Sequence, residues 1–133
     1  MSVSIQHIVR LYQSVSNRLN FMQPIALLAA RLYVAWVFFT AGLTKLVDWS
    51  STLFLFEEEY HVPFIPFELA AYLGTAGEII FPVLLALGVV SRGGALGLTI
   101  VNIVAVVSLD EIAPAAFNAH VIWGVLLAQI ILF

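Results

Sequence analysis

From residue 24 onward the chain alternates between long apolar blocks and short stretches of turn residues and charge. Each block is about as long as a helix needs to cross a bilayer, which takes roughly 20 mainly apolar residues. The first, 24–46, opens at Pro24, a residue suited to the first turn of a helix. The second, 67–90, closes on the polar turn Ser91-Arg92-Gly93-Gly94. A third, 94–109, is short but rich in Gly, Ala and Val. The fourth, 115–133, follows Asp110-Glu111 and Pro114. Between the first two spans, Thr52 to Tyr60 carries Phe54, Phe56 and three glutamates, with Pro63 and Pro66 behind it. This predicts a short interfacial helix and a turn.

Residues 1–23 follow a different rule. Ile8, Leu11, Tyr12, Val15, Leu19 and Met22 recur at helical spacing, with Gln6, Arg10, Gln13 and Asn17 opposite. The spacing predicts an amphipathic helix lying on the cytoplasmic membrane surface, a frayed polar tail being the alternative. No cleaved signal is expected, because the apolar stretch that follows contains Arg31 and exceeds a signal core in length.

Composition agrees with this pattern. Hydrophobic residues make up 62% of the chain and charged ones 10%, with a mean hydropathy of +1.06, which places it among membrane proteins. The expected fold is all-α, an integral membrane four-helix bundle. A net charge of −3 and the lack of any basic cluster argue against nucleic acid as a partner. With no cysteine, thiol exchange and thiolate metal sites are excluded, and electrons in any redox role must be carried by another group. Outside the spans, Arg10, Arg18 and Arg92 fall on one side, and Asp48, Glu57, Glu58, Glu59, Asp110 and Glu111 on the other. The positive-inside rule then sets both termini in the cytoplasm, with Trp49 and Tyr60 marking the outer interface.

Within the spans, charge is costly: an ionised residue at mid-membrane costs roughly 2.5–3.5 kcal/mol on insertion scales, so each needs a partner or a wet cavity. Measured from the cytoplasmic ends, Arg31 lies roughly 10 Å deep, Asn102 roughly 13 Å and Glu78 roughly 18 Å. Arg31, Ala35, Phe38, Gly42 and Lys45 form one stripe of span one. Gly74, Glu78, Phe81, Leu85 and Gly88 form a stripe of span two, so the two stripes are expected to pack. Pro82 lacks the N–H that would meet the Glu78 carbonyl, and Gly74 and Gly77 permit close approach, so Glu78 is expected in a polar niche. An Arg31–Glu78 ion pair that only fixes register is the alternative. A second pair, Lys45 with Glu68, is expected near the outer surface, where both side chains can also reach headgroup water. His120, with Trp123 one turn on, suits a quinone or another flat polar headgroup; a histidine that bonds a neighbouring helix fits equally. The run Glu57-Glu58-Glu59-Tyr60-His61 does not converge on a metal, since consecutive helical carboxylates diverge. No metal or haem is expected, and no nucleophile motif is present.

The order Arg31-Leu-Tyr-Val-Ala-Trp-Val-Phe-Phe-Thr-Ala-Gly42-Leu-Thr-Lys45, then Gly77-Glu78, then Leu87-Gly88-Val-Val-Ser-Arg92 resembles the DoxX family from span one through span four. That resemblance implies a small multi-pass protein of the bacterial inner membrane, associated with quinone-linked oxidoreductase complexes such as thiosulfate:quinone oxidoreductase and with oxidative-stress complexes. The segment Asn118-Ala-His120-Val-Ile-Trp123-Gly124 is similar to DoxX-like proteins encoded beside maturation factors for modified peptides linked to copper and other metals. Proteins like these continue past span four, so a cytoplasmic end shortened at Phe133 is expected.

Two functional expectations follow. In one, the chain is the membrane subunit of a redox system, at most one subunit of a quinone-linked oxidoreductase. A quinone headgroup sits among Arg31, Glu78, Asn102, His120 and Trp123, Arg31 holds a carbonyl oxygen, Glu78 relays a proton as the catalytic group, and Trp36, Phe38 and Phe81 help cover the ring. In the other, it is a non-enzymatic scaffold or accessory protein for a metal-linked peptide-maturation system, in a homo-oligomer or with a membrane or periplasmic partner. Close helix contacts at Gly42, Gly74, Gly77, Gly93 and Gly97 serve that reading.

Overall fold

The computed structural model describes residues 2–133, with side chains from residue 4 onward, and the chain is helical almost throughout. Helix α1 runs over Ser2–Val47, α2 over Trp49–Glu58, α3 over Phe67–Leu87, α4 over Ser91–Val107 and α5 over Pro114–Leu132. Helices α1, α3, α4 and α5 close a ring in which each packs on its two neighbours, while α2 lies against α1 and α3 at one end. The bundle core comes from all four members of the ring. Val34, Ala35 and Phe38 of α1 meet Leu85 of α3, Ala95 and Leu98 of α4, and Leu127 and Ile130 of α5.

The outward faces are as apolar as the core, with Leu73 and Ile80, Ile100 and Ile103, and Ile122 and Val125 all exposed. A water-soluble bundle would not tolerate such a surface, and in a bilayer it is what acyl chains require. Helices α1, α3 and α5 are long and apolar enough to span. At 17 residues α4 reaches only about 26 Å, slightly less than the hydrocarbon core. Lipid gives helices no hydrophobic reason to associate, so close packing at small residues must do so. A Cβ on Gly42 would lie 2.8 Å from Ile79 and 3.1 Å from the Glu78 Cβ, which shows how closely α1 and α3 approach.

Element boundaries depart from the sequence expectation in three places. Pro24 starts no helix: α1 continues through it, the exposed Asn20 being the residue whose carbonyl loses its N–H partner. The amphipathic segment and span one are therefore one helix. The second span stops at Leu87 because Gly88 adopts φ 73°, a left-handed C-cap open to glycine, and α4 starts at Ser91 directly after Val90. Helix α2 begins before Thr52 because Asp48 caps it, accepting from the Ser51 amide at 3.2 Å and the Ser51 hydroxyl at 2.7 Å.

Those two bonds favour the ionised carboxylate and hold Asp48 below its ordinary value of 3.8. A lowered folded pKa stabilises the cap at pH above 3.8, and this contribution fades as pH falls through the folded value. A lower protection factor at the Ser51 amide, its exchange taken relative to the intrinsic rate at each pH, is therefore expected under acid conditions in the native chain. In Asp48→Asn, which keeps a cap but cannot titrate, exchange at Ser51 should lack that acid-dependent step.

Candidate intramembrane ligand site

Register between α1 and α3 sets which charges meet. The helices are antiparallel, and with Gly42 against Glu78 the side chain of Lys45, one turn further along α1, reaches the carboxylate: Lys45 Nζ lies 2.7 Å from Glu78 Oε2. Both groups are largely withdrawn from solvent, at 19% and 12% exposure, so this is a buried ion pair. Glu68 sits ten residues before Glu78, roughly 15 Å along α3, exposed in the first helical turn. The expected Lys45–Glu68 pair is thus replaced by Lys45–Glu78. The expected Arg31–Glu78 pair is replaced as well. Arg31 Nε donates to the Leu85 carbonyl at 3.1 Å, and the guanidinium lies beside Gly88, so Arg31 caps the C-terminal end of α3. The two stripes do pack, as the shared core shows, but with a different vertical offset.

The Lys45–Glu78 pair borders a cavity of about 360 Å³. Val37, Phe38, Thr40, Ala41 and Thr44 of α1 form one wall, and Ala105 and Leu109 from the α4 side with His120 and Trp123 of α5 form another. Tyr60, from the segment after α2, also lines it. Aromatic contacts stiffen the walls: Trp123 meets Phe38 edge-on at 5.7 Å and His120 at 4.9 Å between ring centroids. Thr40 and Thr44 donate to carbonyls of their own helix, at 2.8 Å to Trp36 and 2.9 Å to Thr40, leaving their oxygens as acceptors.

Asn102 does not line this cavity; it orients His120. Its Nδ2 donates to the His120 carbonyl at 2.9 Å, which turns Oδ1 toward the ring, and the Nδ1–Oδ1 separation is 2.6 Å. An amide oxygen only accepts, so Nδ1 carries the proton, and in the neutral ring Nε2 keeps a free lone pair. Of the residues expected at a common niche, Glu78, His120 and Trp123 line one cavity, Asn102 stands behind His120, and Arg31 is elsewhere. Of the expected ring covers, Phe38 is at the cavity, Phe81 packs under Gly77 and Gly97, and Trp36 is exposed.

Tyr60, expected at the outer interface, borders the cavity. Pro63 and Pro66 mark the turn in which the chain reverses into α3, and the His61 amide donates to the Ser108 carbonyl at 2.8 Å, tying this segment to the end of α4. Burial, then the negative charges of Glu78 and Glu59, push the Tyr60 phenol above its ordinary value of 10.0. It remains protonated at neutral pH, a donor beside the cavity. Thr75, one turn before Glu78, and Ser108 are buried hydroxyls with no hydrogen-bond partner among the described residues. Glu57, Glu58 and Glu59 are exposed, and no group of three or more metal-ligating side chains converges among the described residues.

A ring of apolar helices enclosing a charged, aromatic-walled cavity defines a polytopic membrane protein with an internal polar site. The DoxX family model matches residues 26–111, from within α1 to just beyond α4, and the chain belongs to that family. The match stops short of α5, so His120 and Trp123 lie outside it. An uncharacterized protein of Haemophilus influenzae is 37% identical over 98 residues, covering 71% of this chain and 62% of its own length. The chain thus spans less than two thirds of that relative. No solved structure matches.

Proposed function

We propose that the cavity binds the headgroup of a quinone-type carrier, as the membrane subunit of a redox or stress-linked system. The observation that carries this reading is the convergence of a cation, a carboxylate, a phenol and an oriented imidazole on one aromatic-walled cavity within the bundle. A quinone offers a flat ring and two carbonyl oxygens. Lys45 has donors beyond the one given to Glu78, and Tyr60 supplies another, so a carbonyl has cationic and neutral donors within the lining. Reduction by two electrons takes up two protons and turns each carbonyl into a hydroxyl. The two protons come from water: Glu78 and the free His120 nitrogen each take one up and pass it to a carbonyl oxygen as it is reduced, then accept a hydrogen bond from the hydroxyl formed. The electrons come from a partner oxidoreductase, as the chain has no cysteine to relay them. Bacterial inner-membrane placement with both termini in the cytoplasm belongs to the same proposal.

A second reading is supported by the completeness of the ion pair, which needs no ligand to be satisfied: an accessory protein whose charges only hold α1 to α3. Titrating a short-chain quinone into the protein in nanodiscs, read by tryptophan fluorescence, separates the two. Saturable quenching that weakens about 10–100-fold in Lys45→Met is expected, as for loss of a hydrogen bond from a charged donor. Quenching with no saturation, or unchanged in Lys45→Met and in His120→Phe, overturns the quinone site and leaves the accessory role.

A further inference from the structure

The first half of α1 carries an apolar seam that nothing in the bundle covers. Its 46 residues reach roughly 69 Å, about twice the length of the 21-residue α3, and between Ser4 and Ala26 every residue but Ser16 is exposed. Ile5, Tyr12, Leu19 and Ala26 repeat every seven residues, and Ile8, Val15, Met22 and Ala29 repeat three behind them. That is the a/d pattern of a two-stranded coil over three heptads. The six large members from Ile5 to Met22 are 55–72% exposed.

We infer that this seam packs against the same seam of a second copy, joining two bundles through a parallel α1–α1 coiled coil. Three observations favour a second copy over the membrane surface as the occupant. First, α1 is unbroken through Pro24, so the segment is a helical continuation of a spanning helix, with no break at which it would turn into the plane of the bilayer. Pro24 falls at an f position, and its missing N–H lies away from the seam. Second, the same heptad continues to Tyr33, Trp36 and Leu43, all exposed, on the side of α1 opposite the core residues Val34, Ala35 and Phe38. Two bundles can therefore stand back to back without disturbing either core, in the two-fold arrangement a shared bilayer imposes.

Third, the charges fit. Seam positions carry none, Arg10 is at f on the outside, and Arg18, at g, faces Gln23 at e of the other strand, so no like charges meet. The rest of the polar face is uncharged at neutral pH apart from those two arginines, carrying Gln6, His7, Gln13, Ser14, Asn17 and Asn20 and no lysine, whereas helices that lie on anionic lipid are rich in Lys and Arg.

The absence of native cysteine makes the test direct. Single variants Tyr12→Cys and Leu19→Cys on the seam, and Gln13→Cys and Asn17→Cys off it, are oxidised in the full-length protein in membranes. Disulfide-linked dimer at least tenfold more abundant at 12 and 19 than at 13 and 17 is expected. Equal yields at all four positions, or none, overturn the coil. A nitroxide at Val15→Cys gives a second readout: dipolar broadening supports the paired seam, and access to lipid-dissolved oxygen without broadening shows the segment lying in the membrane surface. Leu19→Glu, outside the bundle core, is expected to halve the mass of the detergent-solubilised particle, and an unchanged mass counts against the proposal.

Discussion

Replacing Lys45 with methionine is expected to cost about 3 kcal/mol of stability, while pairing it with Glu78→Leu is expected to restore most of that loss. The single variant leaves a largely buried carboxylate with no counter-charge, and removal of one partner from such a pair typically costs about 3–5 kcal/mol. The lower figure applies because the carboxyl can take up a proton and shed its charge. The double variant has nothing left to desolvate and packs apolar groups of similar volume where the pair stood. Reversible unfolding in mixed micelles, followed by far-ultraviolet circular dichroism, gives the three free energies. Additive losses would mean that the 2.7 Å contact between α1 and α3 contributes nothing as a pair. The same cycle reports on assembly of the site, since the pair borders the proposed ligand cavity.

The second large effect is expected at the opposite end of the bundle. Gly88→Ala places a side chain at φ 73°, which costs an L-residue roughly 1–2 kcal/mol. It also sets a Cβ 2.8 Å from the Arg31 guanidinium, so that the arginine must shift from its bond to the Leu85 carbonyl. Together these predict a loss of about 2.5–5 kcal/mol, since hydrogen bonds from charged donors contribute about 1.5–3 kcal/mol. Arg31→Met alone is expected to lose the hydrogen-bond share and to make the Gly88→Ala cost smaller, because the crowding disappears. If Gly88→Ala costs the same with and without Arg31, the two residues do not act as one cap.

How far the sequence disclosed this arrangement follows from what burial makes visible. Arg31, Lys45, Glu78 and His120 stood out because polar groups in apolar helices require an explanation, and each does have a specific partner in the structure. Which partner could not be read from depth alone. Depth in span one is reckoned from Pro24, yet α1 runs on through Pro24 and Arg31 lies level with the C-terminal end of α3. The offset brings Gly42 and Lys45 beside Glu78 and leaves Arg31 against Leu85. Tyr60 is expected at the outer interface with Trp49, where aromatic belts form. The turn carrying Pro63 and Pro66 was legible, but the bond from His61 to Ser108 that sets Tyr60 over the cavity is long-range. The helical fold itself was legible because four apolar blocks of spanning length admit few alternatives, whereas continuity through Pro24 depends on context that no single residue states.

One wall of the cavity is α5, which follows the segment shared with the family. The clamp between lysine and glutamate, and the arginine that finishes α3, both lie inside that segment. Exchange of the last helix alone would therefore leave the frame standing while changing that wall, so the proposed ligand site can diverge independently of assembly.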